Sequence, residues 1–234
     1  MCVLYSLKHK LSTSKWLFVK INRNKYRMIY HSRLDKTPIT INVNPNAIYG
    51  ILLSGGLDSA VLLYLFLRTC QEQNVTPNIR PFTIPKTDGS YLYVGNVINW
   101  MNQHFSIQIP KHTLVGDPTV HHREQSSTAI HDVFVKFPKI DYLFIGINQN
   151  PPAPFPVEGP TRDSASNNSY ILCPLVDLYK THIADLIYEY NLQELLDITH
   201  SCTERTAGRC MECFQCQERA WAFEQLNQTD IGTR

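Results

Sequence analysis

The stretch YGILLSGGLDSAVLLYLFLRTC, residues 49–70, decides the fold. Ile48, Tyr49, Ile51, Leu52 and Leu53 form an apolar run too short for an ordinary helix and bounded by turn formers, so it reads as a buried strand. Val61, Leu62, Leu65 and Phe66 then recur at helical spacing, with Asp58 or Ser59 standing where an N-cap belongs. Ser54-Gly55-Gly56-Leu57-Asp58-Ser59 therefore joins strand to helix through a tight loop. Such a loop aims backbone N–H groups and a helix N-terminus at one point, which suits an anion. Glycines let phosphate oxygens approach the backbone, and the serine hydroxyls add donors. It is not a Walker A loop, because the Gly-Lys-Ser/Thr ending is missing. The plainer reading, a glycine turn that only connects two elements, is weaker given the context on both sides.

Outward from this unit, apolar runs and helical patterns alternate. Strands are expected at Ile79 to Ile84, near Ile107 to Leu114 and at Asp141 to Ile147, with helices at Tyr91 to His104 and at residues 124–136. Alternating strands and helices imply an α/β fold, a doubly wound and mostly parallel sheet of Rossmann-like type. Ligands of such sheets sit at the carboxyl ends of the strands, where both SGGLDS and Gly146 fall. Residues 148–169, NQNPPAPFPVEGPTRDSASNNS, hold five prolines and a polar tail. A loop of that length is either a substrate lid or a surface insertion.

The chain has 234 residues, 43% hydrophobic and 18% charged, with a net charge of +2. That is enough for one sizeable core with a small appendage. No apolar run approaches the roughly 18 residues of a membrane span, and the N-terminus lacks a signal-type apolar core. A cytoplasmic protein without membrane contact is expected, its seven cysteines reduced or metal-bound. Cys2 reads as a small apolar residue rather than an N-terminal nucleophile. The charge is uneven: residues 1–36 carry nine Lys/Arg against Asp35 alone. There Trp16, Phe18 and Val19, then Tyr26, Met28 and Tyr30, flank Asn22 to Lys25 as a β-hairpin would, with further short strands near Val3 to Leu7 and Ile39 to Val43. This basic hairpin is either a contact for nucleic acid or a protein partner, or an edge kept soluble by lysines; the latter is the simpler account. The expected organisation is a basic β extension (1–46), an α/β core carrying the glycine loop (47–190) and a C-terminal cysteine segment expected to bind zinc (191–234).

Four of the seven cysteines crowd into residues 202–216 as Cys202, Cys210, Cys213 and Cys216, spaced C-x7-C-x2-C-x2-C. Four thiolates complete a closed tetrahedral zinc site with no open position, so the metal is expected to be structural. A four-thiolate iron–sulfur cluster ranks below zinc. His200 is expected as a neighbour rather than a ligand, followed by a helix from Gln217 to Leu226. Cys70 and Cys173 are expected as buried thiols.

SGGLDS resembles the pyrophosphate-binding loop of the N-type ATP pyrophosphatases, the PP-loop superfamily. Its pairing with a C-terminal four-cysteine knuckle resembles the 7-cyano-7-deazaguanine synthases. Thr199, Ser201, Cys202, Cys210, Cys213, Cys216, Arg219, Ala222 and Phe223 match that family's C-terminus. Pro174-Leu175-Val176-Asp177-Leu178-Tyr179-Lys180 matches its Pro-Leu segment followed by a helix-opening lysine, and Ile145-Gly146-Ile147-Asn148 its strand end. The resemblance covers roughly residues 47–223. It implies adenylation of 7-carboxy-7-deazaguanine by ATP, amide formation with ammonia, and a second adenylation that releases the nitrile. It further implies that Ser54, Gly55, Gly56, Leu57, Asp58 and Ser59 hold pyrophosphate, Asp58 supporting the loop or Mg2+. Lys180 would neutralise phosphate charge, although a solvated helix lysine is the alternative, and Gly146 would admit a nucleotide or substrate against the backbone. No side-chain nucleophile is needed, because the substrate's own oxygen attacks. Family members are often dimers, which extends the expectation to a homodimer.

The middle of the chain departs from the pattern. Ile84-Pro85-Lys86-Thr87-Asp88-Gly89 replaces a Tyr-Gly-Gln segment. His121-His122-Arg123-Glu124 stands where Pro-x-Arg-Asn is usual, leaving Arg123 as the carry-over to a catalytic role. Phe155-Pro156-Val157-Glu158 replaces Tyr-Pro-Asp-Cys, so Glu158 either reads the substrate's amine and N–H edge or is a solvated loop residue. His200 replaces a tryptophan. Those departures leave a second reading, a PP-loop ligase that passes an adenylated carboxylate to a protein, tRNA or other amine, and a third, a zinc-binding module without turnover.

Overall fold

The computed structural model describes residues 19–22, 25–160, 162 and 168–232; of 19–22, Lys25, His122 and Arg123 it describes the backbone alone. The strand expected at Val3 to Leu7, Cys2, Trp16 and Phe18 lie outside the described residues.

The two sheets have different characters. Strands β1 (Val19–Asn22), β2 (Lys25–His31) and β3 (Pro38–Val43) form an antiparallel sheet in that order. Strands β4 (Tyr49–Leu52), β5 (Ile79–Thr83), β6 (Thr113–Leu114), β7 (Tyr142–Ile145) and β8 (Ile171–Leu172) form a wholly parallel sheet in the order β6-β5-β4-β7-β8. The chain thus winds outward from β4 in one direction, then returns to β4's other side. That reversal makes a crevice between the carboxyl ends of β4 and β7, where doubly wound sheets bind ligands.

Helix α1 (Leu57–Glu72) follows β4, and nearly all its side chains are buried. A helix apolar on every side has to be covered on every side. The parallel sheet covers one flank. Met28, Tyr30, Ile39, Ile41 and Val43 of the antiparallel sheet cover another, in the same apolar core. Tyr30 ties the layers together, its hydroxyl reaching the Leu65 carbonyl at 2.9 Å and Thr69 Oγ1 at 2.8 Å. Helices α2 (Val94–Phe105) and α4 (Lys180–Glu189) share that core, and α3 (His122–Lys136) packs on the opposite face through Ala129 and Val133 against Phe82, Leu143 and Ile145. The short α5 (Glu194–Ile198) and α6 (Phe214–Gln225) close the C-terminal end.

Several sequence expectations need adjusting. Helix α1 is capped by Gly56, with no side-chain cap, rather than by Asp58 or Ser59. The reason is that Ser59 Oγ turns back to the Gly56 carbonyl (3.2 Å) and accepts from the Ser54 amide (3.2 Å), so its hydroxyl staples the loop. The strand expected over 107–114 shrinks to two residues, because Pro110 has no N–H to give a ladder and Gln108, Lys111 and His112 have no reason to be buried. The helix expected from Tyr91 is preceded by a 3-10 turn, Ser90–Tyr93. Cys70 and Cys173 are buried, and burial pushes their thiols up to about 12 and about 11, which makes them inert. Among the described residues no helix is long and apolar enough to cross a membrane.

Candidate active site

The loop after β4 is shaped by two close approaches. Gly55 has φ +81°, and a Cβ there would stand 1.9 Å from the Ser90 carbonyl oxygen, so only glycine fits. At the end of β7, a Cβ on Gly146 would stand 3.0 Å from the Ser59 amide nitrogen. Gly146 therefore lines the crevice, but the room it saves is taken by the first turn of α1, as with glycines that bring a strand close to a helix. Leu57 contributes only backbone, since its side chain is fully in the core. The first-turn N–H groups of Leu57, Asp58 and Ser59 have no helix carbonyl to donate to, and no side chain caps them.

Beside this turn lies a cavity of about 220 Å3 lined by Ser54, Asp58, Ser59, Gly146, Asn148 and Arg162, among others; Gly55, Gly56 and Leu57 are not among its lining residues. Next to it lies a larger chamber of about 960 Å3. Lys86, Ser126, Ile145, Ile147 and Arg162 line both and so mark their junction. Glu158 is exposed on the wall of the outer chamber, beside Val157, Gly159 and Pro160. The described part of the proline-rich loop is thus seated rather than free. Phe155 packs edge-on against Phe214 (5.6 Å) and Trp221 (6.1 Å) of α6, and a Cβ on Gly159 would collide with the Phe214 ring.

A chain of buried charge runs beneath the cavity. Lys180, the first residue of α4, is 5% exposed, and its Nζ lies 2.5 Å from Asp58 Oδ2 and 3.5 Å from Glu218 Oε2. Glu218, 1% exposed on α6, also takes Arg162 bidentately at 2.9 and 3.3 Å. Arg162 spends its other capacity on Asn148 O, Asn148 Oδ1 and Gln149 O at 2.9–3.0 Å. A lysine at a helix N-terminus opposes the helix dipole; here two carboxylates offset that cost. Lys180 is not among the residues lining the cavity. Its link to the cavity is the ion pair with Asp58, which does line it. Asp58 Oδ1 and Asn148 Nδ2 are buried without a hydrogen-bond partner among the described residues. An orphaned carboxylate oxygen facing a polar crevice fits a cation or a donor-bearing ligand there. The Arg123 side chain lies outside the described residues, while its helix neighbours Gln125 and Ser126 line the outer chamber.

The four cysteines come together. The sulfurs of Cys202, Cys210, Cys213 and Cys216 all lie within 4.8 Å of one another and are unbridged. One tetrahedral ion with bonds of about 2.3 Å separates its sulfurs by a little under 4 Å, so the spacing fits a single ion; a four-iron cube would spread them wider. Two amides already donate to Cys210 Sγ, those of Glu212 (3.4 Å) and Cys213 (3.2 Å). Burial opposes ionisation of the Cys213 thiol, but hydrogen bonds from Thr203 and Cys216 bring it down to about 6. His200 is no ligand: its Nε2–H donates to Arg205 O at 2.7 Å and its ring stacks on Tyr93 at 4.7 Å. Its backbone N–H donates to Gly55 O at 2.9 Å, which joins the cysteine segment to the glycine loop. Arg219, 1% exposed, anchors the same segment. It holds Asp230 at 2.7 and 3.0 Å, Ser201 Oγ at 3.2 Å and Leu196 O at 3.1 Å, while Arg209 pairs with Asp230 at 2.6 Å.

Sequence reasoning did not single out Arg162, Glu218 or Lys86. The first two are ordinary charges in sequence and acquire meaning only when α6 brings Glu218 against a residue 56 positions earlier. Lys86 did carry a signal, as the cation in a segment that departs from the family pattern.

The model of a family described as queuosine biosynthesis protein QueC matches residues 119–227, just under half of the chain. That span runs from the start of α3 through the four cysteines to the end of α6, and over it the chain is QueC-like. SGGLDS lies outside the matched span and is a separate observation. No curated protein matches the chain. Similar solved structures include FMN adenylyltransferase of Candida glabrata in complex with FMN and the ATP analogue AMPCPP, 21% identical over 61% of this chain with a TM-score of 0.40. The chain spans about half of that protein, 49%. The U34-tRNA thiolase NcsA of Methanococcus maripaludis, with its [4Fe-4S] cluster, is 16% identical over 78% of this chain and 66% of its own, with a TM-score of 0.40.

Proposed function

We propose that this protein is an ATP-dependent synthase that adenylates 7-carboxy-7-deazaguanine and uses ammonia to form 7-cyano-7-deazaguanine, releasing AMP and pyrophosphate. The observation that carries it is the placement of SGGLDS. Ser54, Asp58 and Ser59 of that loop line one cavity at the sheet's reversal point, next to a chamber large enough for a heterocyclic acid, and Asp58 keeps a buried carboxylate oxygen without a partner among the described residues. The QueC match to the other half of the chain supports the same reading.

In the first step a carboxylate oxygen attacks the α-phosphorus as the bond to the bridging β-oxygen breaks, and pyrophosphate leaves. The loop amides and the α1 N-terminus stabilise the charge that grows on the leaving group. Ammonia adds to the acyl-adenylate and AMP departs with the original carboxyl oxygen, one proton being lost. The amide oxygen then attacks the α-phosphorus of a second ATP, a second pyrophosphate leaves, and loss of AMP and two N–H protons gives the nitrile. The chain's own part is positioning and charge: Lys180 fixes Asp58, whose free oxygen would hold Mg2+, and Arg162 with Glu218 fixes Asn148 at the cavity wall. Mg2+ bound there would supply charge neutralisation at the phosphates, and zinc held by Cys202, Cys210, Cys213 and Cys216 would supply a structural anchor.

A second reading keeps the adenylation and changes the acceptor to an amine of a protein or tRNA. The outer chamber favours it in one respect: Asp88, Glu158, Glu204 and Glu212 line it and suit an amine-rich partner. AMP and pyrophosphate release with ATP, Mg2+, ammonia and 7-carboxy-7-deazaguanine, with products weighed by mass spectrometry, separates the two. Nitrile supports the synthase; a product stalled at adenylate or amide supports another acceptor; no AMP from folded, zinc-loaded protein rejects both.

A further inference from the structure

Two cations line the junction of the inner cavity and the outer chamber, and they differ in one respect. Arg162 is neutralised by Glu218 and its guanidinium is occupied by three further oxygens. Lys86 is half-buried and has no acidic partner within 4.0 Å among the described residues. An ammonium partly removed from water without a counter-ion is unfavourable unless a ligand supplies the anion.

The backbone holds Lys86 in place. It sits in a turn closed by Lys86 N–H to Ile84 O (2.8 Å) and Gly89 N–H to Lys86 O (3.2 Å), and Asp88 Oδ1 accepts from the Ser90 amide at 2.8 Å. That turn is wedged between two parts of the site. Gly89 (φ +74°) lies against Thr206 of the cysteine segment, and the Ser90 carbonyl lies against Gly55. The braced turn fixes where the Lys86 stem starts, and the junction lies within its reach.

We infer that the Lys86 ammonium receives the carboxylate of the acyl substrate at the junction, aligning the attacking oxygen with the α-phosphorus of ATP bound at the glycine loop. The inference rests on the adenylation reading above. Phosphate is the other source of such an anion, and position decides between them. Ser54, Asp58 and Ser59 line only the inner cavity, whereas Lys86 lines the inner cavity and the outer chamber alike. Lys86 thus stands where a molecule in the outer chamber would meet one in the inner cavity. On the adenylation reading the loop serves pyrophosphate, and Lys86, the junction cation without a carboxylate partner among the described residues, is left for the acid.

The test is calorimetric and needs no turnover. Zinc-loaded protein is saturated with AMPCPP and Mg2+, then titrated with 7-carboxy-7-deazaguanine; AMPCPP affinity is measured separately. In Lys86→Met the acid binds more weakly by about 10- to 100-fold, the loss expected of one charge-assisted contact, while AMPCPP affinity stays within about twofold and Lys86→Arg restores much of the loss. The melting temperature of Lys86→Met does not fall, since no protein contact is lost. Equal acid affinity in wild type and Lys86→Met overturns the inference and leaves the synthase reading standing. Loss of AMPCPP affinity instead assigns Lys86 to a phosphate and overturns the carboxylate role. A wild-type protein that binds AMPCPP but not the acid rejects the inference and the substrate reading together.

Discussion

Glu218→Gln is the perturbation that separates a built site from an incidental cluster of charges. The substitution keeps shape but turns one of the two acceptor oxygens into an NH2 donor and removes the one negative charge shared by Lys180 and Arg162. All three side chains are largely dry, at 1%, 7% and 18% exposure, so solvent cannot replace what is lost. Removing one partner from a buried ionic cluster costs about 3–5 kcal/mol. For a chain of this size each kcal/mol lowers the melting temperature by about 2–4 °C, which gives a fall of about 6–20 °C. Function falls as well, because Lys180 no longer has Glu218 to hold it against Asp58, and a misplacement on the order of 1 Å costs about 100-fold in rate. Thermal unfolding of zinc-loaded protein and AMP release measure the two effects. Glu224→Gln, exposed on the same helix, is the control and should change stability by less than about 0.5 kcal/mol. A Glu218→Gln protein that melts within about 2 °C of wild type and turns over normally would refute the reasoning, since a buried network cannot lose its central charge at no cost.

Two further outcomes follow from the C-terminal anchor. Burial alone would raise the Asp230 carboxyl, but the Arg219 and Arg209 guanidiniums hold it below the usual carboxylate range. Its folded value lies below the unfolded one of about 3.9, so it contributes stability above about pH 4 that is lost as pH falls through the folded value. Melting curves from pH 6 downward should show Asp230→Asn lower at pH 6 and with a shallower acid limb than wild type; parallel limbs would contradict this. Stripping the metal with a chelator, or Cys210→Ser, removes a binding free energy on the order of 10 kcal/mol from the cysteine segment. Because His200 N–H donates to Gly55 O, AMPCPP affinity should fall too; unchanged affinity in metal-free protein would uncouple the two sites.

What was legible in the sequence was whatever depends on neighbours along the chain. The strand–loop–helix at 49–70 and the spacing of the four cysteines are local patterns, and β4, α1 and the sulfur cluster stand where those patterns put them, while the helix opening at Lys180 came from the family resemblance and is α4. The N-cap of α1 was misread because serine and aspartate usually cap, whereas Ser59 here spends its hydroxyl on Gly56 and Ser54. β8 escaped notice because Ile171-Leu172 is too short for a period, and it exists only because β7 offers it an edge. The roles of Glu218, Arg162 and Lys86 were hidden for a different reason. A buried salt bridge and an uncompensated lysine are properties of distances between remote residues, and no window along the chain contains them.

The account's central claim is that the acid's own oxygen attacks ATP at the glycine loop. The most direct measurement uses 7-carboxy-7-deazaguanine carrying oxygen-18 at both carboxyl positions, with AMP, pyrophosphate and product weighed after reaction with ammonia. The account predicts two molecules of AMP per product, each bearing one heavy oxygen, unlabelled pyrophosphate and an unlabelled nitrile. AMP free of label would mean that water or another nucleophile opens ATP, and would contradict it.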